Sequence, residues 1–350
     1  MRCTLNKIAS VTRNLSLHHA AVLGDAIPAE EGAVVACRVL NHKTRYNTLE
    51  DVHGRMMALR PGDVIAGALG SRDALHGYAG RVPERVAVGD TLQLLNLGGV
   101  IGVGAGAAPG LGDPFQLEVL GAVLDFPDPA MRLGVPANIR SAALPPVEPP
   151  AALPPVIAFV GTAMDAGKTT AASLVIAELC RRGFGVAAGK LTGVSLRRDV
   201  LQMADNGASP VAVFTDFGVV TTTEANAVGV GRSMLGHLAE SHPDLLVLEM
   251  GDGLLGTYGV HALLSDPVFR GALSSVVLCA QDPVGVWGAD QLLASRYGLR
   301  AVAVTGPVTD SPVGRRFCQA ELGVPGINAL QDAGALAQVL VDSLVAEPVA

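Results

Sequence analysis

A segment near the middle of the chain consists of a run of apolar residues, a loop that contains two glycines and an amphipathic run. It reads PVIAFVGTAMDAGKTTAASLVIAELC, from Pro155 to Cys180. The apolar run before Gly161 is typical of a buried strand, and the apolar residues after Lys168 recur at helical spacing. In a strand, loop and helix of this kind, the N–H groups of the loop and of the helix N-terminus converge and favour a bound phosphate. The segment therefore predicts a phosphate-binding loop in an α/β domain.

The loop is one residue longer than the common pattern. In G-x-x-x-x-G-K-[ST] four residues separate the two glycines, whereas five separate Gly161 from Gly167 in this chain. The lysine of the pattern neutralises charge on the terminal phosphates, and the hydroxyl group after it, here that of Thr169, binds Mg²⁺. The residues that we expect to hold the nucleotide are Gly161, Thr162, Asp165, Ala166, Gly167, Lys168, Thr169 and Thr170.

A proline-rich segment separates two parts of the chain that differ in pattern. This segment, AALPPVEPPAALPP at residues 142–155, is predicted to be an extended linker. Before it, short apolar runs bounded by Gly, Pro and Asp predict a small all-β, barrel-like domain over residues 1–141. After it, apolar runs alternate with amphipathic segments, which predicts a mostly parallel sheet covered by helices over residues 156–350. The strands predicted there span residues 155–161, 185–191, 210–216, 244–250, 274–280 and 300–306. The helices predicted there span residues 167–182, 196–207, 224–241, 286–297, 312–322 and 331–345.

Length, charge and cysteine content narrow the class of protein. A chain of 350 residues suggests two domains, and a net charge of −7 gives no basic surface for a nucleic acid. The five cysteines are scattered and never paired as C-x-x-C, which indicates reduced thiols in a cytoplasmic protein, without a disulfide framework or a zinc site. We expect no export signal at the amino terminus. We also expect no membrane span in the uncharged run 94–112, because it contains many glycines, an Asn and a Pro.

The longer loop resembles that of the dethiobiotin synthetase-like enzymes, which include the cobyrinic acid amide synthases. The matching residues are GTAMDAGKTT, and GVAAGKLTG places Lys190 22 residues after Lys168. In dethiobiotin synthetases a second lysine at the end of the next strand contacts the reacting carbamate and the phosphates of the nucleotide. A lysine at the inner end of an apolar strand is also unfavourable unless an anion pairs with it. Lys190 is therefore predicted to contact an anionic substrate or a phosphate.

A later segment, PDLLVLEMGDG, resembles the part of these enzymes in which a glutamate helps to hold Mg²⁺. Glu249 stands at that position, although Met250 and Asp252 interrupt the small-residue pattern of the family. The resemblance implies an enzyme that uses ATP and Mg²⁺ to activate a small carboxylate or carbamate by phosphoryl transfer, leading to C–N bond formation. It also implies that Lys168, Lys190 and Glu249 are catalytic and that the enzyme is a homodimer or another homo-oligomer.

Two aspartates are candidates for a further ligand of Mg²⁺. Asp199 opens a predicted helix and fits the metal-binding aspartate of the family by context, whereas Asp216 ends the apolar run VAVFTD. Mg²⁺ prefers oxygen ligands and needs few protein carboxylates, because it retains several waters. Either aspartate is equally consistent with a helix cap or a surface acid.

A looser resemblance leaves a second function open. The elements GKLTGVS, TDFGVVTTTE and LEMGDGLLGTYG are similar in order to those of a P-loop family that includes D-glutamate N-acetyltransferases. That resemblance implies an amino-acid N-acyltransferase with Thr192, Asp216, Glu224 and Glu249 lining the site. A third function, a regulatory NTPase that switches protein partners, is disfavoured because the signature lysine of partner-dimerising ATPases, expected at Ala163, is absent. The absence of an N-K-x-D motif favours ATP over GTP.

Overall fold

Two groups of residues, here called unit 1 and unit 2, each fold around their own core in the computed structural model, which describes residues 1–128, 130 and 133–345. Unit 1 comprises Met1–Leu144, Val194–Arg198 and Thr215–Thr221. Unit 2 comprises Pro145–Gly193, Asp199–Phe214 and the described residues from Thr222 onward. Residues 129, 131 and 132 of the predicted N-terminal domain and residues 346–350 of the predicted C-terminal domain lie outside the described part.

Unit 1 consists mainly of β-strands, and five of them close into a ring. Strands β11, β4, β7, β10 and β9 pair in that order, and β9 pairs back to β11. The pairs are antiparallel except for β7 with β10. A sheet closed in this way is a small barrel, which confirms the predicted barrel-like β fold. The strands of unit 1 are Arg2–Thr4 (β1), Lys7–Ile8 (β2), Ala20–Gly24 (β3), Val34–Val39 (β4), Thr48–Glu50 (β5), Met56–Ala58 (β6), Val64–Leu69 (β7), Tyr78–Arg81 (β8), Thr91–Leu94 (β9), Val100–Ala107 (β10), Gln116–Asp125 (β11) and Val135–Pro136 (β12).

Strand β11 bends so that it can pair along both of its edges. Its pairing with β4 shifts between Val119 and Gly121, which marks a β-bulge. Gly121 has a φ of +151°, and a Cβ atom at this position would lie 2.8 Å from the carbonyl oxygen of Gly24. Only glycine fits such a close approach of two backbones. The bend therefore depends on this one residue.

The uncharged run at residues 94–112 contains strand β10, which the sequence pattern does not predict. Strand β10 has buried residues at Val100 and Ile101 and exposed residues from Val103 onward. Glycine has a low strand propensity, so a strand with three glycines does not show the usual sequence pattern. The described residues contain no helix with the length and apolar character needed to cross a membrane.

Unit 2 contains a parallel sheet, as the alternating pattern predicts. The strands lie in the order β15-β14-β16-β13-β17-β18, and every neighbouring pair is parallel. Strands β13 and β16 are buried along their full length, as is typical of a sheet covered on both faces. The strands are Val156–Gly161 (β13), Val186–Thr192 (β14), Val211–Val213 (β15), Leu245–Met250 (β16), Leu273–Cys279 (β17) and Ala303–Thr305 (β18).

The predicted helices are present close to their predicted positions. Helices α4 and α5 were not predicted, because six residues each are too few to show a helical period. Strands β15 and β18 are both shorter than the predicted strands at residues 210–216 and 300–306. A 3₁₀ turn at Phe214–Phe217 replaces the end of β15. The helices are Lys168–Arg181 (α1), Arg198–Asp205 (α2), Ala227–Ala239 (α3), Val260–Ser265 (α4), Pro267–Ala272 (α5), Pro283–Leu292 (α6), Pro312–Phe317 (α7) and Ala333–Val345 (α8). Other 3₁₀ and π segments span Ser10–Leu15, Ile139–Ala142, Leu293–Tyr297, Pro307–Thr309 and Cys318–Leu322.

Candidate phosphate-binding site

The ends of three adjacent strands of unit 2 carry the residues singled out in the sequence. Strand β16 lies between β14 and β13, so that Glu249 is in register with Lys190 on one side and with Phe159 on the other. Gly161 ends β13, two residues beyond Phe159. Ligands of open α/β sheets bind beyond the carboxyl ends of the strands. The topology thus brings the predicted loop, the second lysine and the glutamate to one edge.

Residues 161–170, here called the P-loop, connect β13 to α1 in a conformation that depends on two glycines. A Cβ atom at Gly161 would lie 2.9 Å from Cδ of Lys168, so a larger residue would displace the lysine. Gly167 adopts a φ of +89° and precedes the first residue of α1 without a side-chain cap. The first N–H groups of a helix have no acceptor within the helix, and here no cap covers them. The N-terminus of α1 is therefore available to a phosphate.

Lys168 folds back over the P-loop. Its side chain is buried, and Nζ donates a hydrogen bond of 2.8 Å to the carbonyl oxygen of Ala163. Burial lowers the pKa of Lys168, and the negative charge of Glu249 partly opposes this shift. An anion beside this ammonium group would stabilise its charge. A buried lysine at the start of α1, directly after the loop that follows β13, is the arrangement that the sequence predicts for a phosphate-binding loop.

Four side chains form a connected group at the same edge, here called the Lys190 cluster: Thr169, Lys190, Asp199 and Glu249. Oγ1 of Thr169 donates to Oε1 of Glu249 at 2.9 Å, and Nζ of Lys190 lies 3.9 Å from the same oxygen. Nζ of Lys190 also donates to Oδ2 of Asp199. Lys190 and Asp199 each expose 12% of their side chains, so the cluster is largely shielded from water. Charges in such a place interact more strongly than on the surface.

Glu249 has the features expected of a metal ligand. It is 2% exposed, and among the described residues its Oε2 atom has no hydrogen-bond partner. Burial raises the pKa of Glu249, an effect that Lys190 opposes most strongly. The buried oxygen and the neighbouring Thr169 hydroxyl are hard oxygen donors of the kind that Mg²⁺ prefers. The part of the chain that the structure describes holds no group of three or more His, Cys, Asp or Glu residues suited to a metal. Mg²⁺ usually takes most of its ligands from water and phosphate, so it does not need such a group.

Loops after the neighbouring strands hold the P-loop in place. The N–H of Leu254 donates to the carbonyl oxygen of Gly161 at 2.9 Å, and that of Thr162 donates to Cys279 at 3.0 Å. A Cβ atom at Gly253 would lie 2.5 Å from the oxygen of Thr162, and one at Gly306 would lie 2.4 Å from that of Ala166. These contacts leave the loop little freedom to rearrange.

Asp252 lies where the charge of Lys168 acts on it, a proximity that the sequence pattern does not predict. It interrupts the small-residue pattern of the family, and its backbone adopts the left-handed conformation, with a φ of +67°. Burial raises the pKa of Asp252, and the positive charge of Lys168 opposes the shift. Strained residues of this kind are often found at functional sites. The one signal in the sequence is an aspartate between two glycines, in a run that begins two residues after Glu249.

Three other residues that the sequence predicts at the site, Asp216, Thr192 and Glu224, lie in surroundings that differ from those of the Lys190 cluster. Asp216 belongs to unit 1, where it accepts a hydrogen bond of 3.1 Å from Nη1 of Arg13. Thr192 is buried in unit 2 and donates to the carbonyl oxygen of Gly251 at 3.0 Å. Glu224 is exposed. Of the two candidate aspartates, Asp199 thus lies within the Lys190 cluster and Asp216 pairs with an arginine of unit 1.

Comparisons with known proteins find similarity in three dimensions but none in sequence. No family model matches the chain, and no curated protein matches it either. A DUF1611 family protein from Anabaena variabilis is 17% identical over 59% of this chain, with a TM-score of 0.39, and the match covers 63% of that protein. The signal recognition particle receptor FtsY from Elizabethkingia anophelis is 16% identical over 59% of this chain and 70% of its own, with a TM-score of 0.39. The signal recognition particle 54 kDa protein from Aeropyrum pernix, solved in complex with GDP, is 17% identical over 59% of this chain and 50% of its own, with a TM-score of 0.36.

Proposed function

We propose that this protein is an ATP- and Mg²⁺-dependent enzyme that activates a small carboxylate or carbamate by phosphoryl transfer. The observation that carries the proposal is the Lys190 cluster, which adds a second lysine to the one in the P-loop. Hydrolysis of a nucleotide alone needs one lysine at the phosphates. The second ammonium group lies at the same edge of the sheet beside two carboxylates. Mg²⁺ held at Glu249 would offset the charge of one of them, and Lys190 would then be able to contact a second anion.

The described residues fall into two groups, one that contacts the phosphates of ATP and one that contacts the acid. The N–H groups at the start of α1 and the ammonium group of Lys168 bind the phosphates of ATP. Thr169 and Glu249 would hold Mg²⁺, which supplies neutralisation of the charge on the phosphates. Lys190 binds the acid and faces the oxygens that gain charge during transfer, and Asp199 keeps its ammonium group in position. Catalysis of this type consists mostly of positioning and electrostatic stabilisation.

The reaction needs no nucleophile from the protein. A carboxylate oxygen of the acid attacks the γ-phosphorus, the bond between that phosphorus and the bridging oxygen breaks, and ADP leaves. The product of this step is an acyl phosphate. An amine then attacks the acyl carbon, inorganic phosphate leaves, and the amine loses a proton as the C–N bond forms.

The proposal predicts that a small acid stimulates the release of ADP. Purified protein should release ADP slowly with Mg²⁺ and ATP alone, and about tenfold faster or more when the right acid is present, because bound substrate completes the transition-state contacts. A panel of monocarboxylates, dicarboxylates, amino acids and amine–bicarbonate mixtures would identify the class. GTP in place of ATP would test the choice of nucleotide, and mass spectrometry would detect the condensed product.

Two other results would point to the rival functions. Consumption of an acyl carrier without ADP release would favour the amino-acid N-acyltransferase. Hydrolysis that responds to a protein partner and to none of the acids would favour a regulatory NTPase. Either result would overturn the proposed phosphoryl transfer.

A further inference from the structure

Two positively charged side chains of unit 1 are buried without a carboxylate beside them. Lys43 is 8% exposed and Arg72 is 6% exposed. Buried charges in proteins are usually paired with an opposite charge, because burial removes the water that stabilises them. Within the described residues, the hydrogen bonds of Lys43 and Arg72 go to backbone carbonyl oxygens and to one tyrosine hydroxyl group. Two positive charges are therefore held inside the unit by neutral acceptors.

Lys43 is bound to an exposed loop, residues 108–113, that follows β10. Its Nζ atom donates to the carbonyl oxygen of Leu111 at 3.1 Å and to that of Asp113. The hydroxyl group of Tyr78 donates to the same oxygen of Leu111 at 3.3 Å. Most of the loop is exposed, and its two glycines adopt left-handed φ values. Because glycine accepts several backbone conformations and little of the loop is buried, the loop can change its path at low cost.

Arg72 lies at the start of the same loop. A Cβ atom at Gly77 would lie 2.4 Å from Nη2 of Arg72, so only glycine leaves room for the guanidinium group. The carbonyl oxygen of Gly77 accepts a hydrogen bond of 2.8 Å from the N–H of Ala108, the first residue of the loop. The two cations therefore lie near the two ends of one loop.

A buried donor of Arg72 has no acceptor in the part of the chain that the structure describes. This donor is Nε, whereas Nη1 donates to the hydroxyl group of Tyr46 at 3.1 Å. A buried N–H group without an acceptor is costly. Tyr46, whose ring centroid lies 5.8 Å from Cζ of Arg72, has a φ of +53°, which is uncommon for a residue other than glycine. Backbone strain of this kind is often found at functional sites.

Four side chains form one continuous group, here called the Arg72 cluster: Lys43, Tyr46, Arg72 and Tyr78. The rings of Tyr46 and Tyr78 meet edge to face with their centroids 5.5 Å apart, and Nζ of Lys43 lies 5.4 Å from the centroid of the Tyr78 ring. The cluster combines two positive charges with two phenol hydroxyl groups. A phosphate group carries about two negative charges at neutral pH and has oxygens that accept strong hydrogen bonds. The charge and the donors of the cluster match such a group.

We propose that unit 1 binds a phosphate group, free or carried by a small molecule, at the Arg72 cluster, with the 108–113 loop as its cover. The carbonyl oxygens of Leu111 and Asp113 occupy the acceptor positions at Lys43 that phosphate oxygens would take. Binding therefore requires the loop to release Lys43. The planar guanidinium group of Arg72 offers donors in an arrangement that fits phosphate, and its Nε atom would gain an acceptor. All of these residues belong to unit 1, and the inference does not depend on the function proposed for unit 2.

Calorimetry with inorganic phosphate tests the site at constant ionic strength. Every protein compared carries Lys168→Ala, which weakens binding at the P-loop equally in all of them. In that background Lys43→Gln should lower the affinity for phosphate about tenfold or more, because it removes a charge-assisted hydrogen bond, whereas Lys43→Arg should retain most of the affinity. Lys7→Gln is the matched control, since Lys7 is a partly buried lysine of unit 1 that pairs with Asp63. Glycerol phosphate, measured beside inorganic phosphate, shows whether the ligand is an ester or the free ion.

Hydrogen exchange in the same proteins locates the bound ion. Phosphate should speed amide exchange in peptides covering residues 108–113, because the loop has to move, and Lys43→Gln should abolish this effect. Equal phosphate affinity in the Lys43→Gln and Lys7→Gln proteins would refute the inference, as would exchange at residues 108–113 that phosphate leaves unchanged or slows. Acetate that binds as tightly as phosphate would rule out the choice of phosphate. If Lys43→Gln does not fold, Arg72→Lys is measured in the same way, because it keeps the charge and loses the paired donors; an unaltered affinity there would equally contradict the site.

Discussion

Replacement of Lys190 by alanine is expected to abolish most of the turnover while ATP still binds. The ammonium group lies near the end of β14 beside Glu249 and Asp199, whereas in the proposed function the phosphates are bound chiefly by the P-loop. Removing one electrostatic contact to the transition state typically lowers kcat about 10²- to 10³-fold. We therefore expect a loss of this size in acid-stimulated ADP release, with the Kd for ATP changed less than about threefold, as judged by calorimetry.

The control for Lys190→Ala is Lys7→Ala. Lys7 is also a partly buried lysine paired with an aspartate, Asp63, and 17% of its side chain is exposed. It lies in β2 of unit 1 and has no part in the Lys190 cluster, so its loss should leave turnover unchanged. Equal activity of Lys190→Ala and the wild type would rule out the role assigned to this lysine. A parallel loss of ATP affinity would show that Lys190 serves the nucleotide instead of the acid.

Replacement of Glu249 by glutamine is expected to reduce activity and yet to spare stability. Glutamine keeps an acceptor for Thr169 but cannot neutralise a cation, so kcat should fall about 100-fold or more and added Mg²⁺ should not restore it. The raised pKa of Glu249 means that burial disfavours its charged form in the folded protein. A carboxyl group whose pKa is higher in the folded than in the unfolded protein lowers the free energy of unfolding as the pH rises. The loss occurs between its ordinary pKa, 4.5, and its pKa in the folded protein. The glutamine variant should therefore be at least as stable as the wild type at pH 7 without ligands.

Urea denaturation at several pH values would measure this effect. The difference in unfolding free energy between the variant and the wild type should grow as the pH rises from 4.5, the ordinary pKa, and should be small at lower pH. Asp290→Asn is a suitable control, because Asp290 is another 2% exposed carboxylate but lies on α6 and outside the Lys190 cluster. Its change should leave turnover intact. A Glu249→Gln variant that unfolds more easily at pH 7 would mean that the carboxylate is a structural ion-pair partner.

The elements that could be predicted are those determined by residues close together in the sequence. The apolar run of β13, the two glycines of the P-loop and the helical period of α1 are local, and their order alone predicted the phosphate-binding fold. The parallel sheet then followed from alternating strands and helices. The register of β14 and β16, which places Lys190 beside Glu249, brings the residues of the Lys190 cluster together. Short elements such as α4 and the glycine-rich β10 gave no comparable signal.

Contacts between residues far apart in the sequence could not be predicted, and the reason is physical. Glu50 looks like an ordinary strand residue, since nothing near it in sequence shows that its carboxylate accepts from Arg197 and Arg198. The sequence around Asp252 likewise does not show that its backbone is left-handed or that the charge of Lys168 acts on its carboxyl group. Partners in a folded chain are set by topology, and composition near a residue does not encode them.

The discontinuous make-up of unit 1 has a consequence for dividing the protein into fragments. A fragment that stops at Leu144 would lack Val194–Arg198 and Thr215–Thr221, which are part of unit 1. Glu50 would then keep the hydroxyl of Ser10 but lose both backbone donors, and Glu31 would lose the N–H groups of Val220 and Thr221. A buried carboxylate deprived of its donors is strongly destabilising. The β-barrel is therefore a module of three separate stretches of sequence, and a gene fusion that transplants it must carry all three.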